Sequence, residues 1–316
     1  MRRLLLITAA LLVFLAIAVP SAAVYYVVFT ESGFKFIVSR IPHRFGTTTL
    51  EIVNPSGSVA HGIHVDRVEV DHHLANVRVE NIGGRVKLLP LLWQTIDSPD
   101  AFIGKVTVTV KKRTRPPGKG EPLFVPSWMV VNAEHARIGI ATVTVYNGFR
   151  LDATDIDGVA VVRHRTIRLF QAQGQIGEWH VAGIGLLHAT DPFGLDVNAR
   201  INWVPEGQPA WAFDTVAKGN LASLGLTIHT TAPFRADFTG RAEDLVNHWH
   251  WLGDAIAHNI DIRVWGGSGV LGLITGKFSI HGDTNGFGGS GQADPTGLHV
   301  GLFQTEFDGF YHNHVL

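Results

Sequence analysis

The chain has no cysteine, which excludes disulfides, thiolate metal centres and thiol nucleophiles. An excess of either charge is also missing: 26 basic and 27 acidic residues leave a net charge of −1, so the electrostatic footprint of a nucleic-acid binder is absent. Catalytic signatures are lacking too, with no Gly-x-Ser-x-Gly elbow, no phosphate-cradling loop, no dinucleotide fingerprint in a strand-to-helix context and no His-Glu-x-x-His pair. Nothing sets a nucleophile beside a base, and no catalytic residue, metal or cofactor is expected. The 17 histidines include the pairs His72-His73, His248-Trp249-His250 and His312-Asn313-His314, which read as polar outer-face residues because no further ligands stand at a recognisable spacing. Asp152, Asp155 and Asp157 read as turn chemistry.

Apolar residues, in contrast, make up 46% of the chain, and the longest run stands at the front. Leu4 to Phe29 follows Arg2 and Arg3 and is long enough for a helix to cross about 30 Å of hydrocarbon. The two arginines favour a cytoplasmic N-terminus, which puts everything beyond Thr30 outside the cytoplasm. A second reading is a cleaved signal peptide ending at Ser21-Ala22-Ala23, although the apolar run continues through Tyr25 and Tyr26 to Phe29. Residues 1–30 are therefore expected to be a signal anchor.

Gly33 to Arg44 sets Phe34, Ile37, Val38 and Ile41 at helical spacing before Pro42 and Gly46, which predicts a short amphipathic helix within 31–46. From Thr48 the period changes to two. Leu50 and Ile52, Val77 and Val79, Val106 and Val108, Ile138 and Ile140, Val197 and Ile201, Leu226 and Ile228, Phe238, and Ile262 and Val264 each alternate with polar neighbours. The pattern predicts a mainly β chain, a long meander over 47–316. Asn54-Pro55-Ser56-Gly57, Gly83-Gly84, Asn147-Gly148, Asp157-Gly158, Gly266-Gly267 and Asn285-Gly286 read as its turns. The basic, proline-rich stretch 111–122 reads as an exposed loop, and the helix-or-strand ambiguity of Arg241 to His258 is resolved towards strand by its surroundings. Phe238-Thr239-Gly240, Ile274-Thr275-Gly276 and Phe307-Asp308-Gly309 form a weak repeat. The eight tryptophans would be core anchors in a closed sandwich or the lining of an open groove, and the spacing does not separate the two.

With anchor, helix and meander in place, the chain resembles the N-terminal part of TamB-type translocation and assembly module proteins of the AsmA-like superfamily. The residues that carry the resemblance are Ser32-Gly33-Phe34 with the helix to Pro42, and Val53 to Ile63 with Gly57 and Gly62 leading to Val65-Asp66-Arg67-Val68. Leu88 to Trp93, Pro122 to Trp128, Asp191-Pro192-Phe193-Gly194-Leu195 and Gly272 to Gly276 add to it. The characteristic C-terminal domain of that family has no counterpart, which reads as truncation. The resemblance implies an inner-membrane anchor, a periplasmic β-sheet curled into an apolar groove (β-taco-like), phospholipid acyl chains as partners and a part in outer-membrane protein or autotransporter assembly beside an outer-membrane barrel. The alternative is a periplasmic scaffold that engages client strands at its edges without conducting lipid. The apolar residues named above are the candidate groove lining, and Phe34, Ile37, Val38 and Ile41 the membrane-side helix. Roughly 18 to 22 strands at about 4.8 Å each would extend roughly 90 to 100 Å.

Overall fold

Period-two alternation makes strands because it gives each one an apolar and a polar face, and here the strands join into one long, curled, unclosed sheet. In the computed structural model the described residues are 18–19, 21–45, 48–73, 75–112, 127–146, 148, 150–188, 193–220, 222–245, 248–261, 263, 272–283, 285–296 and 302–310. The strands are β1 (Arg44–Phe45), β2 (Thr48–Ser58), β3 (Gly62–Asp71), β4 (Ala75–Lys87), β5 (Thr95–Val110), β6 (Val130–Val145), β7 (Arg150–Arg163), β8 (Thr166–Ile176) and β9 (Trp179–His188). They continue as β10 (Leu195–Trp203), β11 (Trp211–Gly219), β12 (Ser223–Ala232), β13 (Arg235–Glu243), β14 (His250–Asp261), β15 (Leu273–Gly282), β16 (Gly286–Pro295) and β17 (Phe303–Phe310). Each pairs with its neighbour in sequence, so the sheet runs about 77 Å along its hydrogen-bonding direction at about 4.8 Å per step.

The meander has one exception. β5 and β6 are parallel, whereas every other pairing is antiparallel. Parallel neighbours need a connection that returns along the whole strand, and the segment 111–129, which contains the basic, proline-rich stretch, is that crossover. Residues 113–126 of it lie outside the described residues.

Of the expected anchor, residues 1–17 and 20 lie outside the described residues, while 21–29 are helical. No helix among the described residues is long and apolar enough to cross a membrane. The amphipathic helix, α1, is Glu31–Ser39 rather than Gly33 to Arg44. Thr30 starts it early by accepting the Gly33 N–H at 3.0 Å, and Arg40 closes it with its N–H on the Ile37 carbonyl, ahead of Pro42. Gly33 sits so close to the preceding helical segment that a Cβ there would lie 2.0 Å from the Tyr26 carbonyl oxygen. A one-turn helix, α2 (Leu88–Leu91), follows β4.

Three expected turns are not turns. Asn54 to Gly57 lies within β2, Gly83-Gly84 within β4 and Asp157-Gly158 within β7. Asn54, Asn81 and Asp155 instead take positive φ of 51°, 55° and 52° in mid-strand, a conformation open to Asn and Asp at modest cost. They fall on a single line. Asn54 of β2 stands level with Asp66 of β3, Asn81 of β4, Gly104 of β5, Gly139 of β6 and Asp155 of β7. In all five pairings this rung is missing, while the register on either side is unchanged. The line is a crease across six adjacent strands.

The crease exchanges the parity of the buried side chains. In β4, Val77 and Val79 are half-buried before Asn81, and Ile82 takes up the pattern after it, while Arg78 and Asn81 are exposed. The same shift separates Leu50 and Ile52 from Pro55, and Val106 and Val108 from Ile103. A strand that bends at a left-handed residue keeps one side chain set on the inside of the bend only if its alternation slips by one residue there. Glycine at 104 and 139 lets the strands close up, since Cβ atoms there would lie 2.9 Å from Asn81 Cβ and 2.8 Å from the Gly104 carbonyl oxygen.

Candidate functional site: an apolar furrow along the crease

Directly paired residues share a face of the sheet, so apolar ladders can be followed from strand to strand. On one side of the crease Leu50, Val70, Val77, Val108, Val143 and Leu151 form one ladder, and Ile52, Val68, Val79, Val106, Ala141 and Ala153 the next. Across the crease Pro55, Val65, Ile82, Ile103, Ile138 and Ile156 form a third. A fourth, of small residues and one isoleucine, joins Gly57, Ile63, Gly84, Ala101, Ala136 and Gly158. No charged side chain interrupts any of them.

Both wings face the same hollow. Leu50, Ile52 and Pro55 line one cavity of about 240 Å³ together with Val38 and Ile41 at the α1 end and with the polar Lys35, Ser39 and His43. α1 therefore caps the first strands on the apolar side. Phe34 is buried, Val38 and Ile41 line the cavity, and Ile37 is turned outwards and exposed.

Beyond β7 the apolar face continues through Leu169, Gly185, Val197, Ala217, Leu226 and Gly240. Its character changes there from aliphatic to aromatic set against glycine. Trp251 is level with Gly282, Gly282 with Phe287, and Phe287 with Gly309. Phe278 is flanked by Ala255 and Gly291, and Phe307 faces Gly289. The rings lie flat on bare backbone: a Cβ at Gly240, Gly282 or Gly309 would come within 2.4 Å of Phe238, 2.6 Å of Trp251 or 2.6 Å of Phe287. The glycines of the Φ-x-Gly repeat are these ring seats. At the opposite rim Trp179 stacks on Trp203 at 5.1 Å, and Trp211 and Phe213 extend the stack.

Apart from α1 over the first strands, this face has no second layer among the described residues. Among the described residues the only buried hydrophobic ones are Phe34, Val65, Ala133 and Ala257, and none of their large side chains is fully buried. The chain exposes 20111 Å², against about 13,000 Å² for a compact monomer of its mass. The tryptophans follow suit. Trp179, Trp203, Trp211 and Trp251 lie on the apolar face, whereas Trp93 and Trp128 are exposed on turns and Trp265 lies outside the described residues.

The opposite face is wet. Arg67 and Glu51, Arg137 and Asp100, and Lys218 and Asp196 approach to 3.4, 3.1 and 3.0 Å across strands, all at solvent-exposed sites where such pairs add little stability. Asp237 lies between His229 at 2.6 Å and His258 at 3.6 Å, and the His229 hydrogen bond holds its carboxyl below the usual range. At the crease, Asn54 Nδ2 donates to Asp66 at 2.9 Å and lowers the Asp66 pKa, with His64 adding to the effect.

Of the expected lining residues, Leu50, Ile52, Val77, Val79, Val106, Val108, Ile138, Val197, Ile201, Leu226, Ile228 and Phe238 share the apolar face. Ile140 does not. It pairs with Lys105 and Thr154 on the polar face and is 44% exposed, because Gly139 on the crease lies between it and Ile138 and exchanges the parity. Ile262 and Val264 lie outside the described residues. The alternation also passed over Val65, Ile82, Ile103 and Ile156, although each sits directly beside Asp, Asn or Gly on the crease, which is the signal that marks them. No protein-family model, curated protein or solved structure matches the chain.

Proposed function

We propose that this protein handles lipid, receiving acyl chains along the furrow of its curled sheet, with the run Leu4 to Phe29 holding it in the inner membrane and the sheet in the periplasm. The reading joins the resemblance to TamB-type proteins with one observation: three apolar ladders flank a crease, and beyond α1 over the β2 end nothing among the described residues covers them. An acyl chain lying in such a furrow gains about 0.8 kcal/mol for each methylene removed from water, with no dedicated ligand group needed. The polar face remains in water throughout. Phospholipid passage between membranes, or support of outer-membrane protein assembly, is the role that fits.

A photo-crosslinking residue at Val106 tests this against the same residue at Lys105. Lipid adducts at Val106 that are absent at Lys105 support the furrow, and equal labelling at both sites, or none at either, overturns it. The second reading, a scaffold for client strands, is favoured by the outer edge of β17, which pairs only with β16 among the described residues. It predicts polypeptide crosslinks at Thr305 and no lipid at Val106.

A further inference from the structure

We infer that the rim formed by the β4–β5 turn and the residues leading into β6 is a second point of membrane contact, dipping into the lipid interface beside the anchor. Leu89, Leu92 and Trp93 of the turn are 71%, 76% and 72% exposed, and Trp128 is 60% exposed. Four large apolar side chains so exposed at one place exceed what water tolerates without a partner. The two segments are tied together, since the Val130 N–H donates to the Gln94 carbonyl at 3.2 Å.

The occupant follows from where the topology puts this patch. β2 and β4 both run antiparallel to β3, so the β2–β3 turn and the β4–β5 turn share one rim, and β6, parallel to β5, begins on it as well. The helical segment 21–29 meets the sheet on that same rim. The Ala60 N–H of the β2–β3 turn donates to the Val28 carbonyl at 3.0 Å, and the Phe29 ring lies 6.0 Å from His61. Val24, Tyr25 and Tyr26 are exposed on that segment. The two turns are about 10 Å apart at about 4.8 Å per strand, so a bilayer that takes up the helical segment lies within reach of the patch. Tryptophan with leucine suits this depth, where the ring body meets acyl carbon and the indole N–H meets the headgroups. Two contacts on one rim fix an orientation, whereas a helix alone leaves the sheet free to swing.

This inference rests on the reading of Leu4 to Phe29 as an anchor, and the test separates the two. Because the chain has no cysteine, a single introduced one carries the only label. The full chain is reconstituted in vesicles of phosphatidylethanolamine and phosphatidylglycerol, with an environment-sensitive fluorophore at Leu92→Cys, at Tyr25→Cys or at Ile184→Cys on the polar face. Nitroxide-labelled lipid is expected to remove most of the emission at positions 25 and 92 and to leave position 184 unchanged. Quenching at 25 without quenching at 92 overturns the inference alone, and quenching at neither overturns it together with the anchor. Substituting Leu89, Leu92 and Trp93 with serine is expected to abolish quenching of a label at Trp128→Cys, and undiminished quenching there counts against a shared insertion.

Discussion

The Phe278 ring lies over Gly276, two residues before it on β15, so closely that a Cβ at position 276 would stand 2.5 Å from ring Cε2. The glycine is a seat for the ring, and Gly276→Ala is expected to cost about 1–3 kcal/mol through overpacking. Replacing Phe278 with Leu removes the clash, so the double variant should lose less than the sum of the two single losses in urea unfolding. Strict additivity would show that the two residues do not meet.

The crease makes a prediction at Asn81, whose φ is 55°. A β-branched residue there is strained, so Asn81→Val is expected to lose about 1–3 kcal/mol, whereas Asn81→Gly should stay within about 0.5 kcal/mol of the parent chain. Equal denaturation midpoints for the two variants would mean that the strand is not bent at this residue.

Ile138 and Ile140 are two residues apart yet face opposite ways, because the crease at Gly139 passes between them. Ile138→Asp is expected to abolish lipid crosslinking at Val106 in protein shown to be folded by circular dichroism. Ile140→Asp should leave both crosslinking and stability unchanged, within about 0.5 kcal/mol. The opposite ranking would place the furrow on the other face.

Burial lowers the pKa of His72, with smaller contributions from His73 and Lys111, against the pull of Asp71. The folded chain thus prefers the neutral imidazole. Its contribution to stability is complete above the unfolded-state value of about 6.5 and is lost as pH falls from there through the depressed folded value. Urea midpoints should drop across that window and drop less in His72→Leu, and identical pH profiles would refute the assignment.

Much of the fold was legible along the chain. Alternation at Leu50 and Ile52, Val77 and Val79, and Val106 and Val108 placed strands and assigned their apolar parity, since period two is a property of each strand by itself. The helix at Phe34 was legible for the same reason. The meaning of Asn54, Gly84 and Asp157-Gly158 was not. Asn, Asp and Gly are chosen for backbone freedom or close approach, and a hairpin turn and a mid-strand bend make the same local demand. Whether the chain reverses or merely bends depends on which partners stand on either side.

The amino-acid sequence by itself determined a cysteine-free, strand-rich chain with one apolar face, because composition and alternation are local quantities. Only the tertiary structure decided that six strands crease along one line, that β5 and β6 run parallel, that Ile140 faces water and that, among the described residues, α1 alone lies over the apolar face. Those features depend on register between segments up to tens of residues apart, and register is settled by pairing, which no single strand contains.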